Sequence, residues 1–290
     1  MPQSPRHLVI VRAGDQSLHP GWTSSVATRT WDLVVSYYGD DPVRFRDAGE
    51  RRIDDKGPKW PGLYTLLTRG DFWRAYDYIW FPDDDLKIEQ HAVDRLFALT
   101  AELGLELSQP ALSWTSHYSH FITLRHPSFV ARFTDFIEIM APCFRREFLE
   151  ACLPTLGETQ SGWGFDWAWP RLQTRGIRGC AILDDVEMTH TRPIGGPIYA
   201  TLRALGVSAD DECNATLRKY SIKVRFPMRI TMAIDRAGRL LDATVSEDGE
   251  RLDALLTRDA SALFSSRNAF DLQHVVVTMQ DPERPGRWGR

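Results

Sequence analysis

The stretch YDYIWFPDDD, residues 76–85, decides the fold, because an apolar and aromatic run ends there in three consecutive aspartates. A continuous run of this kind predicts a strand buried on both faces of an α/β sheet, and ligands of such sheets bind beyond the carboxyl ends of the strands. Side chains two positions apart in extended chain project to the same side, so Asp83 and Asp85 can converge while Asp84 turns elsewhere. The triplet is therefore predicted to lie where a ligand binds.

The charge of this triplet predicts a metal site. Converging carboxylates repel each other unless a cation lies between them, and hard oxygen ligands favour Mg²⁺ or Mn²⁺, which keep positions open for water or phosphates. We expect Asp83 and Asp85 to hold Mn²⁺ or Mg²⁺, and Asp84 to help bind the cofactor. The alternative is a solvated acidic turn, or the N-cap of a helix from Leu86 onward, since Asp is favoured at both.

Two earlier segments repeat the pattern of a strand followed by an acidic loop. Residues 7–12 form the first predicted strand, followed by Gly14 and Asp15, and residues 31–38 form the second, followed by Asp40. Two such ends predict adjacent parallel strands whose loops form one rim of the site. Gly14, Asp15 and Asp40 are therefore candidate cofactor-binding residues.

Alternation of helices and strands continues after these segments. Helical spacing predicts helices over residues 63–76 and 91–103, and a short strand follows at residues 105–110. Further short strands are predicted at residues 121–124 and 180–183. This alternation predicts a mostly parallel α/β sheet flanked by helices.

Composition excludes several classes of protein. The chain has 35 basic and 39 acidic residues and no basic stripe, so nucleic acid is not an expected partner. No run of about 18 apolar residues occurs, so no membrane span and a cytoplasmic location are expected. Four scattered cysteines without a Cys-x-x-Cys pair predict reduced, buried thiols.

Basic residues near the predicted rim are candidates for binding phosphate. Residues 51–61 read as a loop that carries Lys56 and Lys59, and Arg12 ends the first strand. Lysine and arginine donate charge-assisted hydrogen bonds to phosphate oxygens. The alternative is that the lysines are only solvated surface charges.

Three later segments supply candidate substrate contacts. Residues 136–140 are predicted to form a strand with Glu138 at its centre, where the carboxylate needs a ligand or a salt-bridge partner. A helix is predicted over residues 146–152, ending at Pro154. His120 and Glu138 are candidate substrate-binding residues. The alternative for His120 is a polar loop histidine that binds no ligand.

Residues 161–169, SGWGFDWAW, combine glycines, tryptophans and one aspartate. Aromatic faces pack on sugar rings, and Asp166 among them can act as general base toward a hydroxyl group. Trp163 and Gly164 are then candidate substrate-binding residues. The alternative is the start of a helix, with Asp166 as its cap and the tryptophans in the core. His190, shortly after a strand, is a candidate metal or phosphate ligand or a structural histidine.

The C-terminal part has a different pattern. Two helices are predicted between residues 198 and 220, and a hairpin, a helix at 253–264 and a strand at 275–279 follow a boundary near residues 226–227. This divides the chain into a catalytic domain, residues 1–225, a small α+β appendage, residues 226–280, and a disordered tail, residues 281–290. The expected role of the appendage is association into a homo-oligomer.

A set of short motifs spans residues 6–197. They read VRAGD with SLH (residues 11–15 and 17–19), KGPK (56–59), WFPDDDL (80–86), LSQPAL (107–112), EIMAP (138–142), GWGFD (162–166) and HT (190–191). Taken jointly, these motifs resemble the family called domain of unknown function 707 (DUF707), whose plant members are labelled lysine-ketoglutarate reductase trans-splicing related.

The DUF707 family looks like a relative of GT-A glycosyltransferases, which use a Rossmann-like sheet, a nucleotide-diphosphosugar and an Asp-x-Asp motif holding Mn²⁺ or Mg²⁺. The resemblance implies that Asp83 and Asp85 match this motif. It places Asp166 where such enzymes carry an acidic acceptor-side residue, and His190 where some carry a late metal or diphosphate contact. The Pro82 before the triplet and the C-terminal appendage depart from the general GT-A pattern.

The interpretation favoured by these residues is a metal-dependent glycosyltransferase that uses a nucleotide-diphosphosugar and an unidentified carbohydrate or other hydroxyl acceptor. Nucleotidyl transfer also needs carboxylates, a cation and basic residues, but it releases pyrophosphate. A third hypothesis is a catalytically silent nucleotide- or glycan-binding module, because a fold does not establish chemistry.

Overall fold

Eleven strands join in one sheet within the part of the chain that the computed structural model describes, residues 7–47, 51–193, 197–223, 228 and 230–266. The strands are β1 (His7–Ala13), β2 (Asp32–Tyr37), β3 (Arg51–Asp54), β4 (Tyr78–Trp80), β5 (Leu86–Lys87), β6 (Leu107–Leu112), β7 (Phe129–Thr134), β8 (Cys143–Arg145), β9 (Cys180–His190), β10 (Ile230–Asp235) and β11 (Leu240–Asp242). The helices are α1 (Lys59–Arg69), α2 (Gln90–Glu102), α3 (Arg146–Leu156), α4 (Phe165–Leu172), α5 (Pro197–Ala204), α6 (Ala209–Lys219) and α7 (Ser246–Ser266).

The spatial order of the sheet is β11-β10-β7-β9-β6-β8-β4-β1-β2-β3, and β5 pairs with the end of β9. β3, β2, β1 and β4 run parallel, as do β6 and β9. β8 lies antiparallel between β4 and β6, so those two strands point the same way. The carboxyl ends of β1, β2, β3, β4, β6 and β9 therefore lie along one edge, which we call the carboxyl edge.

Both faces of the sheet are buried, which explains the continuous apolar runs. Alternate residues of β1 enter different cores: Val9 and Val11 pack on one side of the sheet, and Leu8 and Ile10 on the other. Trp80 and Ile79 of β4 divide in the same way. The predicted α/β architecture with a central sheet flanked by helices is confirmed.

Several elements differ from the sequence prediction. Residues 136–140 form a loop rather than a strand. Phe136, Ile137 and Met140 are buried, but these residues pair with no strand. Phe121–Thr123 form a short 3₁₀ turn, not a strand, and Leu124 forms an isolated β-bridge with Leu112. Residues 51–61 contain β3 and the start of α1, not only a loop. α3 continues through Pro154 and ends at Leu156.

The C-terminal elements continue the main sheet. β10 pairs antiparallel with β7, with Ala233 opposite Arg132, and Asp259 of α7 accepts hydrogen bonds from the Ser128 backbone N–H at 2.8 Å and Oγ at 2.5 Å. The predicted boundary at 226–227, the strand at 275–279 and the tail at 281–290 lie outside the described residues. The division into domains stays a prediction. Among the described helices, none has both the length and the apolarity that a membrane crossing requires.

Candidate active site

The sequence candidates come together at the carboxyl edge of the sheet. Gly14 and Asp15 follow β1, Asp40 follows β2, and the aspartate triplet follows β4. The loop 135–142 leads into β8, whose antiparallel direction brings Glu138 to the same edge. His190 ends β9, and its pairing with Leu86 of β5 places it beside the triplet.

The three aspartates contact three different groups. Asp83 Oδ1 accepts a hydrogen bond from Lys59 Nζ at 2.6 Å. Asp84 Oδ2 accepts from the Gly14 backbone N–H at 2.7 Å, and its Oδ1 accepts from Arg192 at 3.1 Å. Asp85 Oδ2 lies 3.2 Å from Nε2 of His190. The same Arg192 nitrogen lies 4.0 Å from Oδ2 of Asp85, so Asp84 and Asp85 share this guanidinium group.

His190 is oriented by a second hydrogen bond. Its Nδ1 lies 2.8 Å from the backbone carbonyl of His117, so Nδ1 donates there and Nε2 is directed at Asp85. Burial opposes the charge of the imidazole, but the hydrogen bond and charge of Asp85 outweigh burial and raise the pKa of His190 to about 9. The same contact lowers the pKa of the Asp85 carboxyl although burial opposes this.

The fit of a divalent cation can be tested on these atoms. A metal-ligating histidine commonly donates its other ring N–H to a backbone carbonyl, as His190 does to His117. The Oδ1 atom of Asp85 is buried and has no hydrogen-bond partner among the described residues. No three His, Cys, Asp or Glu side chains of the described residues converge as a metal-binding group. Lys59 offsets the charge of Asp83, and protonated His190 offsets that of Asp85. Asp85 and His190 fit a site with two protein ligands once the ring releases its Nε2 proton, which metal binding requires.

Lys59 joins the triplet to the loop 135–142. Its Nζ donates to the backbone carbonyls of Phe81 and Ile139, both at 2.9 Å, and of Met140 at 3.1 Å, besides Asp83. Three carbonyls and one carboxylate fix this ammonium group beside the triplet. The Asp83 side chain remains two-fifths exposed, so a ligand can reach it.

Glu138 and Asp166 form a second acidic group beside Lys59. Glu138 is 5% exposed and Asp166 is 6% exposed. Burial, together with the charges of Asp166 and Asp83, raises the pKa of Glu138 to about 8. Burial raises the pKa of Asp166 to about 7, although backbone N–H groups, including that of Ile139 at 2.8 Å, favour its ionised form.

Asp166 lies in the first turn of α4 and is not the N-cap, which is Gly164. Gly164 has a φ of 95°, and a Cβ there would lie 2.9 Å from Cβ of Thr216 in α6. Gly162 has a φ of 78°, and a Cβ there would overlap the indole of Trp60. Both glycines are needed for the sharp turn that points α4 at the site, since a left-handed φ is strained for other residues.

The predicted phosphate-binding residues at the rim are largely engaged with protein partners. Arg12 is buried and donates to Ser36 at 2.9 Å, to Asp55 at 2.8 Å and to the Gly57 carbonyl at 2.6 Å, and its burial lowers the pKa of the guanidinium. Lys56 pairs with Asp40 at 2.7 Å on the surface.

Two other predicted contacts have mainly structural neighbours. Asp15 accepts hydrogen bonds from Tyr37 and from the Asp40 backbone N–H. His120 packs against Phe136 and Trp167, with ring centroids 4.5 and 5.8 Å away, and burial lowers the pKa of its imidazole to about 3.

Trp163 is half-buried beside the core. Trp169 is fully buried, and its Nε1 donates to Thr155 at 2.8 Å, which makes this tryptophan a core residue.

Sequence reasoning missed two polar residues of the site. Arg192 donates to Asp84 and to the Gln16 carbonyl at 2.8 Å, which links the end of β9 to the loop after β1. Gln109 of β6 accepts a hydrogen bond from the Glu138 N–H at 2.6 Å. In the sequence, Arg192 is marked only by its place two residues after His190. Gln109 is a single polar residue in a strand, and no sequence pattern marks it as part of a site.

Comparison with known proteins matches the family model described as "Protein of unknown function (DUF707)" to residues 66–134. The DUF707 resemblance is confirmed over this segment. The segment contains the aspartate triplet, β6 and β7. No curated protein matches the chain.

Three solved structures are similar to this chain. S. aureus TarS residues 1–349 in complex with UDP-GlcNAc is 12% identical, with a TM-score of 0.49, over 74% of this chain and 73% of that chain. A mycobacterial protein has 13% identity and a TM-score of 0.49, with 76% of each chain covered.

The third is glucosyl-3-phosphoglycerate synthase from Mycobacterium tuberculosis, in complex with Mn²⁺, UDP-glucose and phosphoglyceric acid. It has 15% identity and a TM-score of 0.47, over 76% of this chain and 81% of that chain.

Proposed function

We propose that this protein is a divalent-metal-dependent glycosyltransferase that transfers a sugar from a nucleotide-diphosphosugar to a hydroxyl acceptor. The observation that carries the proposal is the pair of Asp85 and His190. Both sit at the carboxyl edge, the His117 carbonyl holds the ring, and one Asp85 oxygen is buried without a partner. Of the three predicted ligands, Asp83, Asp85 and His190, we propose Asp85 and His190, because Asp85 keeps a buried oxygen without a partner.

Lys59 and Arg192 supply further positive charge beside the proposed metal site. A cation held by Asp85 and His190 would supply positive charge against the departing diphosphate. Lys59 and Arg192 lie on the two sides of the triplet and add fixed positive charge there.

Asp166 is placed to accept the proton of the acceptor hydroxyl. A carboxyl with a pKa of about 7 is matched to that transfer at neutral pH. The proton moves from the hydroxyl to a carboxylate oxygen of Asp166 as the hydroxyl oxygen bonds to the sugar carbon and the diphosphate leaves.

Binding measurements test the metal site. A thermal-shift screen of nucleotide-sugars with Mn²⁺ or with chelator selects the nucleotide, and calorimetry then measures the affinity of the nucleoside diphosphate. We expect Mn²⁺ to strengthen nucleotide binding, and Asp85→Asn and His190→Ala to abolish that gain. His91→Ala, at an exposed histidine of α2, is the matched control and should leave it unchanged. Equal affinity with Mn²⁺ and with chelator would refute the metal site.

Product analysis separates the rival functions. Release of a nucleoside diphosphate supports glycosyl transfer, and release of pyrophosphate supports nucleotidyl transfer. Nucleotide-sugar binding without turnover would instead support a silent binding module.

A further inference from the structure

Glu138 has a buried carboxyl oxygen without a protein partner. Its Oε2 has no hydrogen-bond partner among the described residues, although Glu138 is only 5% exposed. An unpartnered buried polar group destabilises the folded protein, because it loses its hydrogen bonds to water and gains none in return. Such a group therefore needs an explanation, and a ligand that completes its hydrogen bonds is one.

Hydrogen bonds fix the backbone around Glu138, so its side chain is attached to a well-held segment of the loop. The N–H of Glu138 donates to Gln109, and the N–H groups of Ile137 and Ile139 donate to the carbonyl and the carboxylate of Asp166 at 3.1 and 2.8 Å. Lys59 holds the Ile139 carbonyl at 2.9 Å. Three consecutive N–H groups thus hold the residue beside the triplet and Asp166.

The charges around Glu138 determine which ligand group it can accept. Asp166 and Asp83 favour the protonated carboxyl, whereas His190 and Lys59 favour the ionised form. Burial and the two carboxylates raise the pKa of Glu138 to about 8. Whether the carboxyl is protonated or ionised, its unpartnered Oε2 accepts a hydrogen bond, and a hydroxyl group donates one. A phosphate would add negative charge beside Asp83 and Asp166.

We propose that Glu138 recognises an uncharged hydroxyl group of a sugar substrate, which donates a hydrogen bond to the unpartnered Oε2. The proposal rests on the function proposed above and adds the chemistry of one subsite. That hydroxyl can belong to the sugar of the donor or to the acceptor, and the experiments below distinguish the two sources.

The stability of the ligand-free protein provides a test that does not depend on activity. Glu138→Met removes the unpartnered oxygen and keeps the length of the side chain, so Tm should stay equal or rise. Glu106→Met is the matched control at the opposite edge of the sheet. Glu106 is also buried, but its carboxylate accepts from the N–H and Oγ1 of Thr174, both at 2.7 Å. Its loss should lower Tm by about 5 °C or more.

Calorimetry with Mn²⁺ identifies the source of the hydroxyl. If Glu138 binds the donor sugar, Glu138→Met lowers the affinity for UDP-glucose by about tenfold and leaves the affinity for UDP unchanged. If it binds the acceptor, UDP-glucose affinity is unchanged, and glucose binding to the complex with UDP is weakened instead. In both cases Mn²⁺ affinity stays at the wild-type value.

Four results would overturn the proposal. Glu138→Met could lower Tm as much as Glu106→Met, which would assign Glu138 a structural partner. The second result is that Glu138→Met loses Mn²⁺ binding, and the third is that it binds UDP-glucose and glucose as tightly as the wild type. The fourth is that the wild type binds glucose 6-phosphate more tightly than glucose. Should the wild type bind no nucleotide-sugar, the proposed function would fail, whereas the Tm comparison would still show whether the Glu138 carboxyl has a structural partner.

Discussion

Asp166 is the residue whose replacement best separates catalysis from binding. Asn keeps an oxygen that accepts from the Ile139 N–H, but it cannot take up a proton. We predict that Asp166→Asn lowers turnover by roughly 10²- to 10⁴-fold, because the acceptor hydroxyl loses its base. Nucleotide affinity should stay near its wild-type value, and Tm at neutral pH should be equal to that of the wild type or higher. The measurements are transfer or donor-hydrolysis rates beside calorimetry and thermal melting, and an active variant with unchanged binding would remove Asp166 from the mechanism.

The same residue predicts a pH dependence of stability. The folded protein keeps protons on Asp166 and Glu138 up to about pH 7 and 8, whereas the unfolded chain releases them near pH 4. Folding therefore takes up protons in this range, and the free energy of unfolding falls as pH rises, by up to about 1.4 kcal/mol per pH unit for each group. Lys59, Glu138 and Cys213 are the titratable neighbours of Asp166.

Comparison with Asp166→Asn isolates the contribution of Asp166. Relative to the wild type, the variant should gain stability as pH rises from about 4 to about 7, since Asn has no proton to lose. Urea unfolding at several pH values measures this difference. A constant difference across that range would show that the carboxyl of Asp166 is already ionised at low pH.

At the scale of elements, the turn before α4 positions the proposed base. We predict that Gly164→Ala lowers the free energy of unfolding by about 1–3 kcal/mol and reduces activity, because the Cβ both strains a left-handed φ and meets Thr216. Gly238→Ala is the matched control, since Gly238 has a φ of 77° but open space around its Cβ. It should cost about 1 kcal/mol and leave activity unchanged. Equal loss of activity in both variants would contradict the positioning role of the turn.

Sequence periodicity predicted the elements whose apolar pattern is long or regular. β1, β2, β4 and α2 have uninterrupted apolar runs or helical spacing, and each lies within a few residues of its predicted place. Residues 136–140 were wrongly predicted as a strand, because a buried loop can be as rich in apolar residues as a buried strand.

β7 and most of β9 escaped prediction because a buried charge interrupts the apolar run inside each strand, whereas the buried Arg12 of β1 follows four consecutive apolar residues. Arg132 of β7 and Asp184 of β9 pair through two hydrogen bonds at 2.7 and 2.9 Å. Either charge alone argues against a buried strand, and only their pairing in the folded protein makes both compatible with one. Single-sequence reasoning examines one segment at a time, so it cannot recognise this compensation.

The site was predictable in its acidic members but not in its contacts. Strand ends marked the triplet and His190, and the glycines marked Asp166. Which aspartate contacts which cation depends on the strand order, which places Lys59 on Asp83 and His190 on Asp85. No local pattern contains that information.

At the scale of the whole molecule, β10 covers the edge of β7. We predict that a chain ending at residue 223 melts at a lower temperature and aggregates, because it exposes the unpaired backbone of β7. Association through residues 226–280 is a separate prediction. Sedimentation and thermal melting of the truncated chain test both: an unchanged Tm would contradict the structural role, and an unchanged oligomeric state would count against the role in association.

The pairing of β7 with β10 also sets an order for synthesis. Phe133 lies opposite Met232, so about 100 residues must be translated after β7 leaves the ribosome before its outer edge can be covered. The residues of the proposed site, Asp83, Asp85, Asp166 and His190, have all been translated by then. A nascent chain can therefore assemble the site while one edge of its sheet is still open to neighbouring chains. Slow translation of residues 190–230 would prolong that exposure, and chaperones that bind extended backbone would have their longest access to the chain at this stage.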